Sequence, residues 1–450
     1  MLWDSDRAGR PALRADILIP GSGEGVHVFD GLLGFRLDQP VLLVWAAIVA
    51  ALIAVILITG RRSVRSVITK VLAAVCGAVF AYVLAWVLGD VLDVFGIGLT
   101  PTTRAWAAVA CSGAALAIVS IPRARAWRVV TAVVAVPVFL LIGALGINQD
   151  FGQFPTVRAA LGISPYGAFT SVAAAHGTTA DWRAPSALPA AGRVERVDIP
   201  ATTSGFRHRE ALVYLPPAAL TAHPPALPVI EAFSGQPGQP ADLFASAGFA
   251  GLLDRFAASH HGLAPIVVVP DQLGAPDANP MCVDGPLGNS ASYLTVDVPA
   301  WITAHLPVSS ARTDWFIAGF SQGGTCSIQL GAAHPGRFGG ILDISGEVVP
   351  TIGPATVAKG FGGSEAAYAA AAPSAIMAER APYADTVAIF GYGSADARYG
   401  PGVERIQAAA AAAGMRTTTF VSQGTAHDWH TVHTVLQRAL PAVASRFGLG

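Results

Sequence analysis

The sequence predicts a chain in two parts, an α-helical transmembrane bundle followed by an α/β domain with a mostly parallel sheet flanked by helices. Three observations carry this reading. Residues 41 to 147 hold nearly all the long uncharged runs in a 450-residue chain that is 53% apolar and only 13% charged. From about residue 181 onward, short β-branched runs alternate with helix-like stretches. Within that second part, "WFIAGFSQGG" runs a strand pattern through Gly-Phe-Ser-Gln-Gly into a helix pattern without a break. A formal net charge of −1 offers no footprint for nucleic acid. Lys70 and Lys359 are the only lysines among many Ala, Arg and Gly residues, which points to a GC-rich bacterial source.

The first 40 residues form a polar tail expected outside the membrane. Its stretch "ADILIPGSGEGVHVFDG" places two β-like runs around a glycine-rich turn, the pattern of a small hairpin. Four segments are then uncharged for about the length that crosses roughly 30 Å of hydrocarbon: Val41 to Gly60, Val71 to Gly89, Ala105 to Ile121 and Val129 to Ile147. They define a four-helix transmembrane domain over residues 41–147. A cleaved signal peptide does not fit, because the first run follows a polar tail and further spans follow it. The first loop carries Arg61, Arg62, Arg65 and Lys70, and the third carries Arg123, Arg125 and Arg128, whereas the middle loop holds only Arg104. Positive residues mark the cytoplasmic side, so both termini and everything from Asn148 onward are expected outside. Trp45, Trp86, Trp106 and Trp127 sit near segment ends, as interfacial anchors or as bundle packing. Asp90 and Asp93 are expected to be solvated at the outer interface rather than a metal or proton site.

Residues 148–180 read as a juxtamembrane connector, and residues 181–450 as the catalytic domain. Its strand candidates are "RVERVDIP", "EALVYLPP", "LPVIEAFSG", "APIVVVPD", "DWFIAGFS", "GGILDISGE", "TVAIFGYGS" and "MRTTTFVSQG". Helix-like stretches, "VDVPAWITAHLP", "QGGTCSIQLGAAHP" and "GVERIQAAAAAAG", separate the later ones. Such alternation predicts a parallel sheet covered on both faces, with functional residues at the carboxyl ends of the strands.

Ser321 occupies the turn between one of these strands and the next helix. A serine on so tight a turn needs Gly319 and Gly323 to leave room, and it places its oxygen at a helix N-terminus, where N–H groups favour developing negative charge. A serine is a weak nucleophile without a base. His427 follows the last strand and precedes the terminal helix, whereas His334 reads as a surface residue at a helix end, and His430 and His433 fall inside the terminal helix. Three spaced histidines without a carboxylate geometry make a weak metal site, and no metal or other cofactor is implied. Asp396, in the loop after "TVAIFGYG", is the expected acid, with Glu404 as its main rival and Asp343 and Glu347 as lesser ones. The order Ser321, Asp396, His427 matches the order expected of this fold. The oxyanion hole is expected from the N–H of Gln322 and that of Gly235 or Gln236 in "SGQPGQP", where Pro237 and Pro240 supply no donor.

"GFSQGGTCSIQLGAAHPGRFGGILDISGE", "GTAHDWHTVHTVLQRALP" and the "FSGQ" loop make residues 193–449 resemble the putative-esterase family of α/β-hydrolases, which includes the antigen 85 mycolyltransferases and the esterase D and feruloyl esterase types. The resemblance implies an α/β-hydrolase fold, Ser321 as nucleophile and His427 as base. Antigen 85 relatives place a Glu on the following helix, nearer Glu404, whereas the esterase types use an Asp like Asp396. The departure lies in front of the domain, since antigen 85 proteins are secreted and soluble while this chain carries four spans. The expected activity is hydrolysis of carboxylic esters outside the cytoplasmic membrane, with a lipid-borne ester or an envelope glycolipid as the substrate class and the bilayer as a partner. Acyl transfer to a hydroxyl and a non-catalytic envelope scaffold are the alternatives. Cys76 and Cys111 fall in spans. Cys282 and Cys326 form the outer pair, which an oxidising compartment permits to join, with two buried free thiols as the alternative.

Overall fold

A computed structural model describes residues 30–59, 63–122 and 124–449. The expected N-terminal hairpin falls largely outside these residues, as do Arg61, Arg62 and Arg123 of the basic loops. Among the described residues, four helices are long and apolar enough to cross a membrane: α1 (Pro40–Ile58), α2 (Val64–Trp86, continued by a π-turn to Val91), α3 (Pro101–Ser120) and α4 (Ala126–Phe151). Helices α2, α3 and α4 start before their uncharged segments, and α4 also runs past its end, because a helix tolerates charge at its ends. Lys70, for example, lies inside α2 and reaches back to donate to the carbonyl of Leu57 at the end of α1. Most apolar side chains of the bundle face outward, which water would not allow and lipid does. Trp45, Trp86 and Trp127 are among these exposed residues, whereas Trp106 packs its indole against Gly146 of α4.

The second part is built on a nine-stranded sheet, β1 (Gly167–Ala168), β2 (Arg193–Val197), β3 (Ala211–Leu215), β4 (Val229–Phe233), β5 (Ile266–Val269), β8 (Trp315–Phe320), β9 (Gly340–Ile344), β10 (Val387–Gly393) and β11 (Arg416–Ser422), with β6 (Asp284–Gly285) and β7 (Gly288–Asn289) as a separate hairpin. The order is β1-β2-β3-β5-β4-β8-β9-β10-β11, and only β3 runs against its neighbours. The eight strand candidates of the sequence are β2 to β5 and β8 to β11. The ninth strand lies within residues 148–180: Gly167 and Ala168 add to the exposed edge of β2, and Thr170 donates from its backbone to Glu195. Pairing satisfies backbone groups that a free edge would leave open.

The principal helices are α5 (Phe249–Ser259), α6 (Gln322–Ala333), α7 (Gly400–Ala412) and α8 (Trp429–Arg446). Side chains alternate between the two faces along each strand and feed two cores. In β4, Val229 and Phe233 join one cluster and Ile230 and Ala232 the other. Burial on both faces is why these strands read as continuous apolar runs. This is the α/β-hydrolase arrangement, preceded by four apolar helices.

Candidate active site

The register of the central strands sets the site. Phe233 pairs with Gly319 and Phe320 with Ile344, so β4, β8 and β9 end together and Ser321 emerges above their carboxyl ends. Ser321 has φ 57° and ψ −119°, outside the regions open to most side chains. Its N–H donates to the carbonyl of Ile344 at 2.8 Å, which holds the turn against the neighbouring strand. The two flanking glycines are required on steric grounds. A Cβ on Gly319 would lie 2.0 Å from the carbonyl oxygen of Gly323, and one on Gly323 would lie 2.4 Å from that of Ser234.

His427 is presented by the loop that enters α8. The next residue, Asp428, caps that helix by accepting from the N–H of Thr431 at 2.8 Å, and its other oxygen accepts from Ala426 at 2.7 Å. The imidazole is thereby fixed from both sides of the chain. Asp396 sits in the loop after β10, where one oxygen accepts from the N–H of Tyr399 at 3.0 Å. Its other oxygen lies 3.0 Å from His427 Nδ1. A carboxylate only accepts, so Nδ1 carries the proton, and Nε2 is left to accept the Ser321 hydroxyl at 2.8 Å. All three residues are buried. Phe320 and Tyr399 flank the imidazole, with ring centroids 4.8 Å and 4.1 Å away.

The rival acids lie elsewhere. Glu404 pairs with the hydroxyl of Tyr392 on the exposed side of α7. Asp343 is buried beneath α6, where it accepts from Gly346, and burial pushes its carboxyl up to about 7. Glu347 lines the cleft above Ser321; burial pushes it up to about 7 against the opposing pull of Arg398.

The N–H groups of Gln322, the first residue of α6, and of Gly235 and Gln236, in the loop after β4, donate to no acceptor among the described residues, and all three residues line the cleft with Ser321. The Gln322 side chain turns the other way, taking a hydrogen bond from Gln272 at 3.2 Å and donating to Asn279 at 3.1 Å. Cys282 and Cys326 are joined in a disulfide that ties this loop to α6. Both are buried.

Above Ser321 lies a cleft of about 1270 Å³, lined partly by the α/β domain and partly by the end of the helix bundle that docks on it, including Phe95, Ile97, Ala144, Ile147 and Phe151. Sequence reasoning missed this shared wall. Tyr399 donates its hydroxyl to the carbonyl of Gly96 at 2.7 Å, Arg398 pairs with Asp93, Trp429 donates to Gln153 at 2.6 Å, and His430 donates to the carbonyl of Gln149 at 2.8 Å. Asp93 is solvated as expected, its side chain 45% exposed, while also pairing across the interface, and His430 serves docking.

The sequence model of the family described as "Putative esterase" matches residues 204–444, more than half of the chain. The chain belongs to the putative esterase family. Carboxylic-ester hydrolysis is accordingly the chemistry of this esterase. An uncharacterised protein of Corynebacterium glutamicum is 35% identical to it over 308 residues, 66% of this chain and 70% of that one. Among solved structures, an S-formylglutathione hydrolase from Agrobacterium tumefaciens shares 21% identity with a TM-score of 0.48, covering 58% of the esterase and 97% of its own chain. A ferulic acid esterase shares 20% identity with a TM-score of 0.48, covering 57% of the esterase and 98% of its own chain.

Proposed function

We propose that the protein is a membrane-anchored serine esterase that works outside the cytoplasmic membrane through Ser321, His427 and Asp396. The observation that carries this reading is the unbroken chain from Ser321 Oγ to His427 Nε2 at 2.8 Å and from His427 Nδ1 to Asp396 at 3.0 Å, at the floor of an open cleft. In the reaction Ser321 Oγ attacks the acyl carbonyl while its proton passes to His427 Nε2. Asp396 stabilises the imidazolium and holds its orientation. The carbonyl oxygen, now negative, is met by the N–H of Gln322 and that of Gly235 or Gln236, with the positive end of α6 behind Gln322. The C–O bond to the alcohol breaks as His427 returns the proton to the leaving oxygen. Water, deprotonated by His427, then releases the acid and restores Ser321.

The extracytoplasmic location rests on charge. The basic residues Arg65, Lys70, Arg125 and Arg128 gather at one end of the bundle, and the α/β domain docks on the other. Acyl transfer is the second reading, and cleft size favours it: about 1270 Å³ exceeds the roughly 300–1,000 Å³ of a common ligand pocket and leaves room for an acceptor hydroxyl beside the acyl group.

A fluorophosphonate probe tests the proposal. The purified protein is expected to be labelled, and Ser321→Ala is not; an unlabelled, folded wild type would remove the serine mechanism. Following a model ester with and without a polyol separates the readings, because transfer yields an acylated polyol and hydrolysis yields free acid alone.

A further inference from the structure

Four spans are more than an anchor needs, and the outer end of the bundle is built into the cleft. α4 has 26 residues, about 39 Å at 1.5 Å per residue, whereas the hydrocarbon is about 30 Å thick. Measured from its basic end at Ala126, about 30 Å of α4 ends near Gly146. Ala144 therefore lies at the depth of the acyl chains, and Phe151 projects about 7 Å above them. Ala144, Ile147 and Phe151 share one helix face and line the cleft that holds Ser321 and His427. The same face continues downward through Leu140, which is 50% exposed, and Pro137 and Val133, also exposed to the surroundings of the bundle. The loop after α2 adds Phe95, 50% exposed, as a second apolar wall. On the α/β side the lining is mixed, with Gln236, Asn279, Glu347 and Arg398 interspersed among Leu287 and Ile352. The α4 face and Phe95 thus give the cleft an apolar wall toward the bundle, while the groups that can hydrogen-bond a headgroup lie mainly on the α/β side, with the reactive serine between.

We propose that this face of α4, with Phe95, is an acyl-chain subsite, so that the esterase draws amphiphilic esters from the outer leaflet with the fatty chain still partly in lipid and the headgroup alcohol in the polar half. The inference rests on the serine-esterase reading and adds the substrate class to it. The reaction stays a hydrolysis, in which the ester C–O bond is cleaved and water supplies the oxygen of the released fatty acid. Tyr399 ties the two halves together, since one face of its ring packs on His427 and its hydroxyl bonds the loop that carries Phe95.

The test compares kcat/KM for p-nitrophenyl dodecanoate and p-nitrophenyl acetate, using the full chain in lipid nanodiscs. Each methylene shielded from water is worth about fourfold, so losing contact with two of them exceeds tenfold. The dodecanoate-to-acetate ratio is expected to fall tenfold or more in Ala144→Trp and in Ile147→Trp, which fill the groove. It is expected to fall also in Phe151→Ala, which removes a wall and keeps the test open where an added Trp prevents folding. Leu52→Trp, on the lipid-facing side of α1 and outside the cleft, should leave the ratio unchanged. An unchanged ratio in the cleft variants, with Ser321 still labelled by fluorophosphonate, overturns the subsite and leaves the esterase reading standing. Absence of labelling in the wild type overturns the esterase reading instead.

Discussion

Replacing Asp396 by Asn leaves shape and burial intact and removes a charge. The carboxylate lies 3.0 Å from His427 Nδ1, and both side chains are almost fully excluded from water. With an effective dielectric of about 20, a unit charge pair at that separation interacts by about 5.5 kcal/mol. That stabilisation exists only while the imidazole is protonated, in the transition states for acylation and deacylation, so its loss falls on kcat and amounts to about 10⁴-fold. The amide still accepts from the N–H of Tyr399 through one atom, so the loop keeps its turn. Hydrolysis of p-nitrophenyl acetate gives kcat/KM, and a thermal melt checks folding. Glu404→Gln serves as the comparison, because Glu404 pairs with Tyr392 on the surface and is expected to change activity less than twofold. A loss under tenfold in Asp396→Asn, or an equal loss in Glu404→Gln, refutes the assignment.

Three further outcomes follow from packing and charge. Gly323→Ala brings a Cβ to 2.4 Å from the carbonyl oxygen of Ser234, which is backbone and has little room to move; a cost of about 3 kcal/mol or more is expected, seen as a drop of about 6–12 °C in melting temperature. Replacing Cys282 and Cys326 by Ser opens a loop with a sequence separation of 44 and should cost about 4 kcal/mol on the chain-entropy account, matched by melting the wild type under reducing conditions. Asp343 is held protonated by burial, its value raised from 3.8 to about 7, so its contribution to stability is complete below about pH 4 and is lost as pH rises through 7. Asp343→Asn keeps an acceptor for Gly346, and denaturant unfolding between pH 4 and 8 is expected to show a flatter dependence than the wild type.

The strands and spans were legible because their signals are local. An apolar run ended by Gly, Pro or Asp marks a strand buried on both faces, and about twenty uncharged residues can lie only in lipid or in a deep core. Glycines 319 and 323 around Ser321 were legible for the same reason, since one tight turn dictates both. The sheet order was not, because the reversal of β3 and the addition of Gly167–Ala168 at the edge depend on pairing between residues far apart in sequence. The choice between Asp396 and Glu404 was open in sequence, since both follow β10. Loop geometry brings one carboxylate to His427, while α7 carries the other toward solvent.

By itself, the sequence determined that this chain has four membrane-length helices, an alternating α/β part and a serine placed between a strand and a helix. Each of these follows from neighbouring residues under fixed backbone rules. Only the tertiary structure decided that the two parts share one cleft. The contact of Tyr399 with Gly96 spans 303 positions, and no local pattern encodes a wall whose two halves meet only when the apolar helix bundle docks on the α/β part.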